Sequence, residues 1–160
     1  MTELKLDEKD IEILKMLQEN CKISSREIAR KIGSLIPTVY AKIKRMEDLG
    51  IIKNYKAVLD SKKLDKKTTG LIFVSFGYRV PGVEEPLDQR EIARKIAKFP
   101  EVQEIHIITG DWDMLIKVKA KDVDEIGRFV VDKLRKLQGI EKTLSCMVYD
   151  TPKESLDINL

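Results

Sequence analysis

The sequence is poor in the residues that build metal centres and catalytic sets. It has one histidine, His106, and two cysteines, Cys21 and Cys146. That is too few for an ordinary Cys/His zinc site, so neither a metal nor a cofactor is expected. A single disulfide would be allowed, but two free core thiols are the plainer reading. No apolar run approaches the ~18 residues that a spanning helix needs, which excludes that kind of membrane protein. The opening stretch MTELKLDEKD has no apolar signal core, and a cytoplasmic protein is expected. What the chain does have is 160 residues, 42% hydrophobic and 36% charged. That suffices for one ordinary domain or two small ones with a real core, and it argues against long disorder.

The formal net charge of +3 hides an asymmetry. Residues 1–21 carry −3, residues 22–67 carry +8 and residues 68–160 carry −2. One short stretch therefore holds the whole positive excess. This is the signature of a nucleic-acid surface followed by a module that needs none. A soluble basic helical domain without a ligand would show the same charge.

Hydrophobic spacing divides the chain at the same place. Asp7 is a candidate N-cap with Asp10 as its capping partner, and Ile11, Leu14 and Leu17 then share a helical face beside Ile13 and Met16. Ser24 or Ser25 caps a second helix, Ser25–Lys31. Gly33-Ser34 marks a turn. A third helix runs from about Ile36 to Leu49, with Pro37 tolerated in its first turn and Gly50 as its stop. Val39, Ile43, Met46 and Leu49 face inward. Ile51–Leu59 reads as two short strands or one irregular ribbon. Three helices with a short glycine turn before the third, then a ribbon, form a winged helix-turn-helix pattern.

The period then changes. Leu71–Tyr78, Val102–Thr109, Met114–Ala120 and Ile140–Tyr149 read as strands, and Arg90–Lys98 and Val123–Leu137 as helices. The order β-α-β-β-α-β predicts a four-stranded antiparallel sheet with two helices on one face and the first and third strands central. The fold class is α+β: an N-terminal winged helix-turn-helix followed by a ferredoxin-like βαββαβ sheet domain. The expected boundaries are 1–59 for the reader, 60–68 for a linker, 69–150 for the sheet domain and 151–160 for a tail. Several strands carry hydrophobics on both parities, so the second sheet face needs a cover. Self-association as a two-fold dimer supplies one most simply.

The DNA-contact set follows from the third helix. Ile36, Pro37, Thr38, Tyr40, Ala41, Lys44 and part of Arg45 lie outward or flank that face. Its N-terminal members would enter the major groove of double-stranded DNA. There Thr38 can bond a base or a phosphate, and Ile36 or Ala41 can touch a thymine methyl. Ser24, Ser25, Arg26, Lys42, Lys44, Arg45, Lys53 and Lys56 read as phosphate contacts that set register. Each has a plainer alternative: the serines as caps, Lys53 and Lys56 as solvated surface, Tyr40 as packing on the wing.

With these residues in place, the chain resembles the leucine-responsive regulatory protein family (Lrp/AsnC). The resemblance spans about residues 5–150. Its opening motif is carried by Leu6-Asp7, Asp10, Ile13-Leu14, Leu17-Gln18, Asn20, Ser24 and Glu27-Ile28-Ala29. Its third-helix motif is carried by Gly33, Thr38-Val39, Met46-Glu47, Gly50 and Ile52. Leu35 stands where the family has a serine, which removes a cap. Lys42 stands where it has an arginine, which loses the bidentate fork. In the second half Gly110-Asp111-Trp112-Asp113 resembles the family's turn between the second and third strands. Gly139-Ile140, Thr143 and Ser145 resemble its late motif. The resemblance implies dimers through the sheets, a higher assembly such as an octamer, and a small-molecule effector, commonly an amino acid, bound between dimers. It places Gly110, Asp111, Trp112 and Asp113 on the effector side, with Thr143 and Ser145 as second choices. A tight turn offers backbone N–H groups to a carboxylate, and an aspartate accepts from an α-ammonium. The plainer alternative is that Gly110 only permits the turn and Asp113 only caps it. The loop 79–88 is longer than the family's usual connection.

The expected function is a sequence-specific transcriptional regulator. Its rival is an architectural DNA-binding protein with weak sequence preference and no effector. An enzyme on the ferredoxin-like half, with His106 as base and Asp111 or Asp113 as partner, lacks a nucleophile set, a phosphate loop and a metal cluster, so no catalytic residue is expected.

Overall fold

Reciprocal caps start the first two helices. In the computed structural model, which describes residues 5–82 and 84–160, α1 spans Glu8–Glu19 and begins at Asp7. The Asp10 backbone N–H donates to Asp7 Oδ1 at 2.8 Å, and the Asp7 N–H donates to Asp10 Oδ2 at 3.0 Å. α2, Ser25–Lys31, repeats the device with Ser24 and Glu27. Ser24 is therefore the cap, and Ser25 is the first helical residue. α3 spans Ile36–Asp48 and has no side-chain cap, because Leu35 occupies that position. Gly33 at φ 59° makes the turn into α3, and Gly50 at φ 70° closes it. Ile13, Leu14, Ile28, Ala29, Val39 and Met46 form the core of this first unit. The buried stripe of α1 is thus centred on Ile13 and Leu14, with Ile11 and Leu17 half-buried beside it.

The first unit runs through Val58 and takes in Glu154–Leu160. The end of the chain lies on α1: the Gln18 amide donates to the Ile158 carbonyl at 3.0 Å and accepts from its N–H at 2.7 Å. Residues 52–59 form no strand ladder. The wing is an irregular ribbon, the second of the two forms that its composition allowed.

The second unit covers Leu59–Lys153. Its elements are β1 Thr68–Phe76, α4 Gln89–Ile96, β2 Val102–Ile107, β3 Met114–Ala120, α5 Val123–Arg128 and β4 Ile140–Met147. The sheet order is β2-β3-β1-β4, all pairs antiparallel, so the first and third strands are central as the crossovers require. Alternate residues of β1 and β3, such as Ile72, Val74, Ile116 and Val118, are buried with Ile92 and Ile96 of α4 and Ile126 of α5. The second helix is not uniform. After Arg128 it widens into a π turn over Phe129–Lys133 and tightens into a 3-10 turn over Leu134–Lys136. Gly127 weakens it just before that point, and the Phe129 ring is drawn edge-on to Phe99 at 5.7 Å.

The other sheet face has no cover within the unit. Register aligns His106, Leu115, Phe73 and Leu144 as one row across all four strands. Both cysteines are free and exposed, so the expectation of core thiols fails. Cys21 sits in the turn after α1, and Cys146 lies opposite Leu71, a residue of β1's uncovered face. Among the described residues, no helix is long and apolar enough to cross a membrane.

Candidate nucleic-acid interface and ligand turn

The N-terminal half of α3 presents a mixed apolar and hydroxyl surface. Ile36, Pro37, Thr38, Tyr40 and Ala41 are all exposed, and Tyr40 shows 66% of its surface. Leu35 is 74% exposed at the tip of the helix. Sequence reading passed over it as a missing cap. The available signal was a large apolar residue placed where no core could reach it. Tyr40 lines a small dimple with Cys21, Ser25, Ile43 and, from the wing segment, Tyr55. Its wing-side and outward readings thus coexist. The Tyr55 hydroxyl donates to Glu47 at 2.9 Å. Burial first, and that bond second, push its phenol up to about 12.

The basic residues divide into bound and free. Asp10 is fully buried. Its Oδ1 accepts from Lys42 Nζ at 3.0 Å and its Oδ2 from Arg45 Nη2 at 2.6 Å. Lys42 also bonds Asp7. This corrects the expectation for Lys42. Its ammonium points to α1 and neutralises a buried carboxylate, so it is not free to meet a phosphate. Arg45 is half-committed, with its side chain 48% exposed. Lys44 is outward but pairs with Asp48. Arg26, Lys53 and Lys56 are exposed and form no ion pair among the described residues. Ser24 is occupied by its capping box, and hydrogen bonds from its backbone and hydroxyl hold the Glu27 carboxyl below the usual range. Ser25 is half-buried.

The ligand turn is built in two layers. Gly110 adopts φ 118° with open space where a Cβ would stand. Only glycine takes that backbone without strain. Asp111 is exposed. Trp112 lies 6.1 Å from the Phe73 ring, tilted by 49°. Asp113 is turned inward: its Oδ2 accepts from the Phe76 N–H at 2.8 Å, and its carbonyl accepts from Ile108 N at 2.9 Å and Gln89 Nε2 at 3.2 Å. The Asp113 carboxylate thus ties the turn to β1. Thr143 and Ser145 lie on β4, with β1 between them and β3. Thr143 Oγ1 accepts from Arg135 at 2.8 and 2.9 Å, and Ser145 is exposed. A single chain therefore does not close these six residues into one pocket.

Comparison with known proteins identifies the family of both units. Residues 82–158 match the family model for the Lrp/AsnC ligand binding domain, and residues 6–53 match one for winged helix-turn-helix DNA-binding. A helix-turn-helix-type transcriptional regulator of Pyrococcus abyssi is 37% identical over 94% of this chain and 97% of its own. The regulator FL11 of Pyrococcus horikoshii is 31% identical over 96% and 95%. A transcriptional regulator of Neisseria meningitidis, solved in complex with L-Met, superposes with a TM-score of 0.87 at 26% identity over 97% of both chains. The E. coli AsnC structure shares the fold, with a TM-score of 0.83 at 22% identity over 96% of this chain and 98% of that one. This chain belongs to the Lrp/AsnC family of transcriptional regulators, with a winged helix-turn-helix DNA-binding domain and an Lrp/AsnC ligand-binding domain.

Proposed function

We propose that the chain acts in the cytoplasm as a sequence-specific regulator that reads double-stranded DNA through Ile36, Pro37, Thr38, Tyr40 and Ala41. The observation that carries this is the exposed N-terminal half of α3, presented by a helix pinned from behind through Asp10. Arg26, Lys53 and Lys56, with Lys44 and Arg45 contributing, fix register on phosphates. Two copies associate through the uncovered sheet faces, where Phe73, Leu115 and Leu144 leave water together. Dimers build a higher assembly such as an octamer. An amino acid or related metabolite binds where dimers meet, at Gly110, Asp111 and Trp112, with Asp113 shaping the turn and Thr143 and Ser145 contributed across the contact. The L-Met bound to the Neisseria meningitidis relative supports that ligand class. The effector does no chemistry; it favours one assembly over another.

Recovery of bound fragments from a random-sequence DNA pool tests the reading. Enrichment of a two-fold symmetric site is expected, and an unenriched pool would reject sequence reading. One observation favours the architectural alternative. The first six residues of α3, Ile36–Ala41, include no Arg, Lys, Asn or Gln, the side chains that read bases bidentately. Under that alternative, binding would be salt-dependent but indifferent to sequence.

A further inference from the structure

The start of α3 carries an apolar surface that the core does not use. Leu35, Ile36, Pro37, Tyr40 and Ala41 are all exposed, and of residues 35–41 only Val39 is buried. The exposed ones are contiguous. Ile36 neighbours Tyr40 and Pro37 neighbours Ala41 one helical turn on, and Leu35 adjoins Ile36 at the N-cap. A single exposed leucine means little, but a continuous apolar patch marks an interaction surface. Leu35 is the member that stability explains least. It has the extended backbone of an N-cap but makes no side-chain cap bond. Leucine is among the poorest N-caps, so the helix is weaker for it. Its side chain stands mostly in water, so packing offsets little of that loss. α1 and α2, by contrast, both start with reciprocal boxes, at Asp7 and Ser24.

The chemistry of the major groove names what such a surface can read. Base edges there present hydrogen-bond donors and acceptors and one apolar group, the thymine C5-methyl. With no bidentate reader in Ile36–Ala41, only the Thr38 and Tyr40 hydroxyls can address the donors and acceptors. The apolar members discriminate in another way. Against a guanine or cytosine edge they strip water from polar groups that they cannot satisfy. Against a thymine methyl, apolar surface leaves water on both sides of the contact. Selection by this end of α3 therefore falls on thymine.

We infer that Leu35 is a specificity-determining residue, and that the reader selects duplex sites whose thymine methyls line the major groove under Leu35, Ile36 and Ala41. The inference rests on the reading of α3 as the helix that enters the groove. It adds a residue to that set and names the base that the set chooses.

The test uses the most enriched duplex from a random-sequence pool, with each thymine replaced in turn by deoxyuridine. That exchange removes the methyl and keeps the base pairing and the groove's donors and acceptors. Affinities are read by fluorescence anisotropy for the full chain as wild type, Leu35→Ala and Leu35→Ser. At least one replacement should weaken wild type about fourfold, the worth of one buried methyl-sized group. The same replacement should leave Leu35→Ala unaffected, since the two changes remove one contact. Leu35→Ser supplies the missing cap, so it should melt at or above the wild-type temperature while losing the same discrimination. That combination separates recognition from folding. Undiminished wild-type affinity at every replaced thymine would overturn the inference and leave the regulator reading intact. An equal loss in all three proteins would overturn the role of Leu35. So would a smaller assembly of Leu35→Ser in sedimentation with discrimination unchanged, which would make the patch a contact between copies. An unenriched pool would overturn both readings.

Discussion

At the scale of single residues, the reader is organised around Asp10. A fully buried carboxylate is tolerated because a backbone N–H, Lys42 and Arg45 all donate to it. These bonds fasten α3 to α1 in place of the cap that Leu35 cannot supply. Asp10→Ala should cost about 2 kcal/mol in a denaturant melt, since it removes the partner of the Asp7 cap and two charge-assisted bonds between α3 and α1. The same cluster sets an acid limit. The Lys42 bond, then the Asp10 N–H, hold the Asp7 carboxyl below its ordinary value of 3.8. A depressed acid contributes stability that is complete above its unfolded value and is lost as pH falls through its folded one. Thermal melts should therefore show a fall in stability below pH 3.8 that is shallower in Asp7→Asn; an identical fall in both proteins would contradict this. The cap at Asp7 and the box at Ser24 were legible because they act over three residues. The engagement of Lys42 was not, because it spans 32 residues and depends on how two helices meet.

At the scale of elements, periodicity located every helix and strand of the sheet domain to within a few residues. It did not disclose helix type. Ile126, Val130 and Leu134 are buried on one stripe as the spacing requires, yet the backbone between them widens. Spacing of three to four residues survives a π turn, and the Phe99–Phe129 stack that accompanies it is tertiary. The wing took the ribbon form, the less regular of the two that its composition allowed. Ile51–Leu59 has strand composition, but a ladder needs a partner, and Val58 is 97% exposed in the single chain. Among the turns, Gly139 is the most constrained. Its φ is 85°, and an added Cβ would stand 2.4 Å from the Phe76 ring. Gly139→Ala should lower stability by about 2–4 kcal/mol, combining backbone strain with overpacking, as read from a urea midpoint.

At the scale of the whole molecule, the modest net charge is a division of labour. The stretch 22–67 carries +8, and the remainder of the chain is acidic. Part of that excess is spent internally, on Asp7 and Asp10. The sheet domain instead offers an apolar row, with Phe73 and Leu115 on neighbouring central strands. If the sheet faces pair as proposed, Phe73→Glu should leave the sheet intact but dissociate the dimer in sedimentation. It should weaken DNA binding about 100-fold, because two linked half-site contacts become one. The two-domain plan and the apolar face were legible in the sequence; the bond from the Phe76 N–H to the Asp113 carboxylate, which crosses from β1 to the turn, was not, because it joins residues 37 positions apart. The most direct test of the regulator account is competition between the selected DNA site and random DNA, followed across salt concentrations by fluorescence anisotropy. The account predicts a preference of about a thousandfold or more at physiological salt, reduced at least several-fold by Thr38→Ala. Equal competition by random DNA at every salt concentration would contradict it.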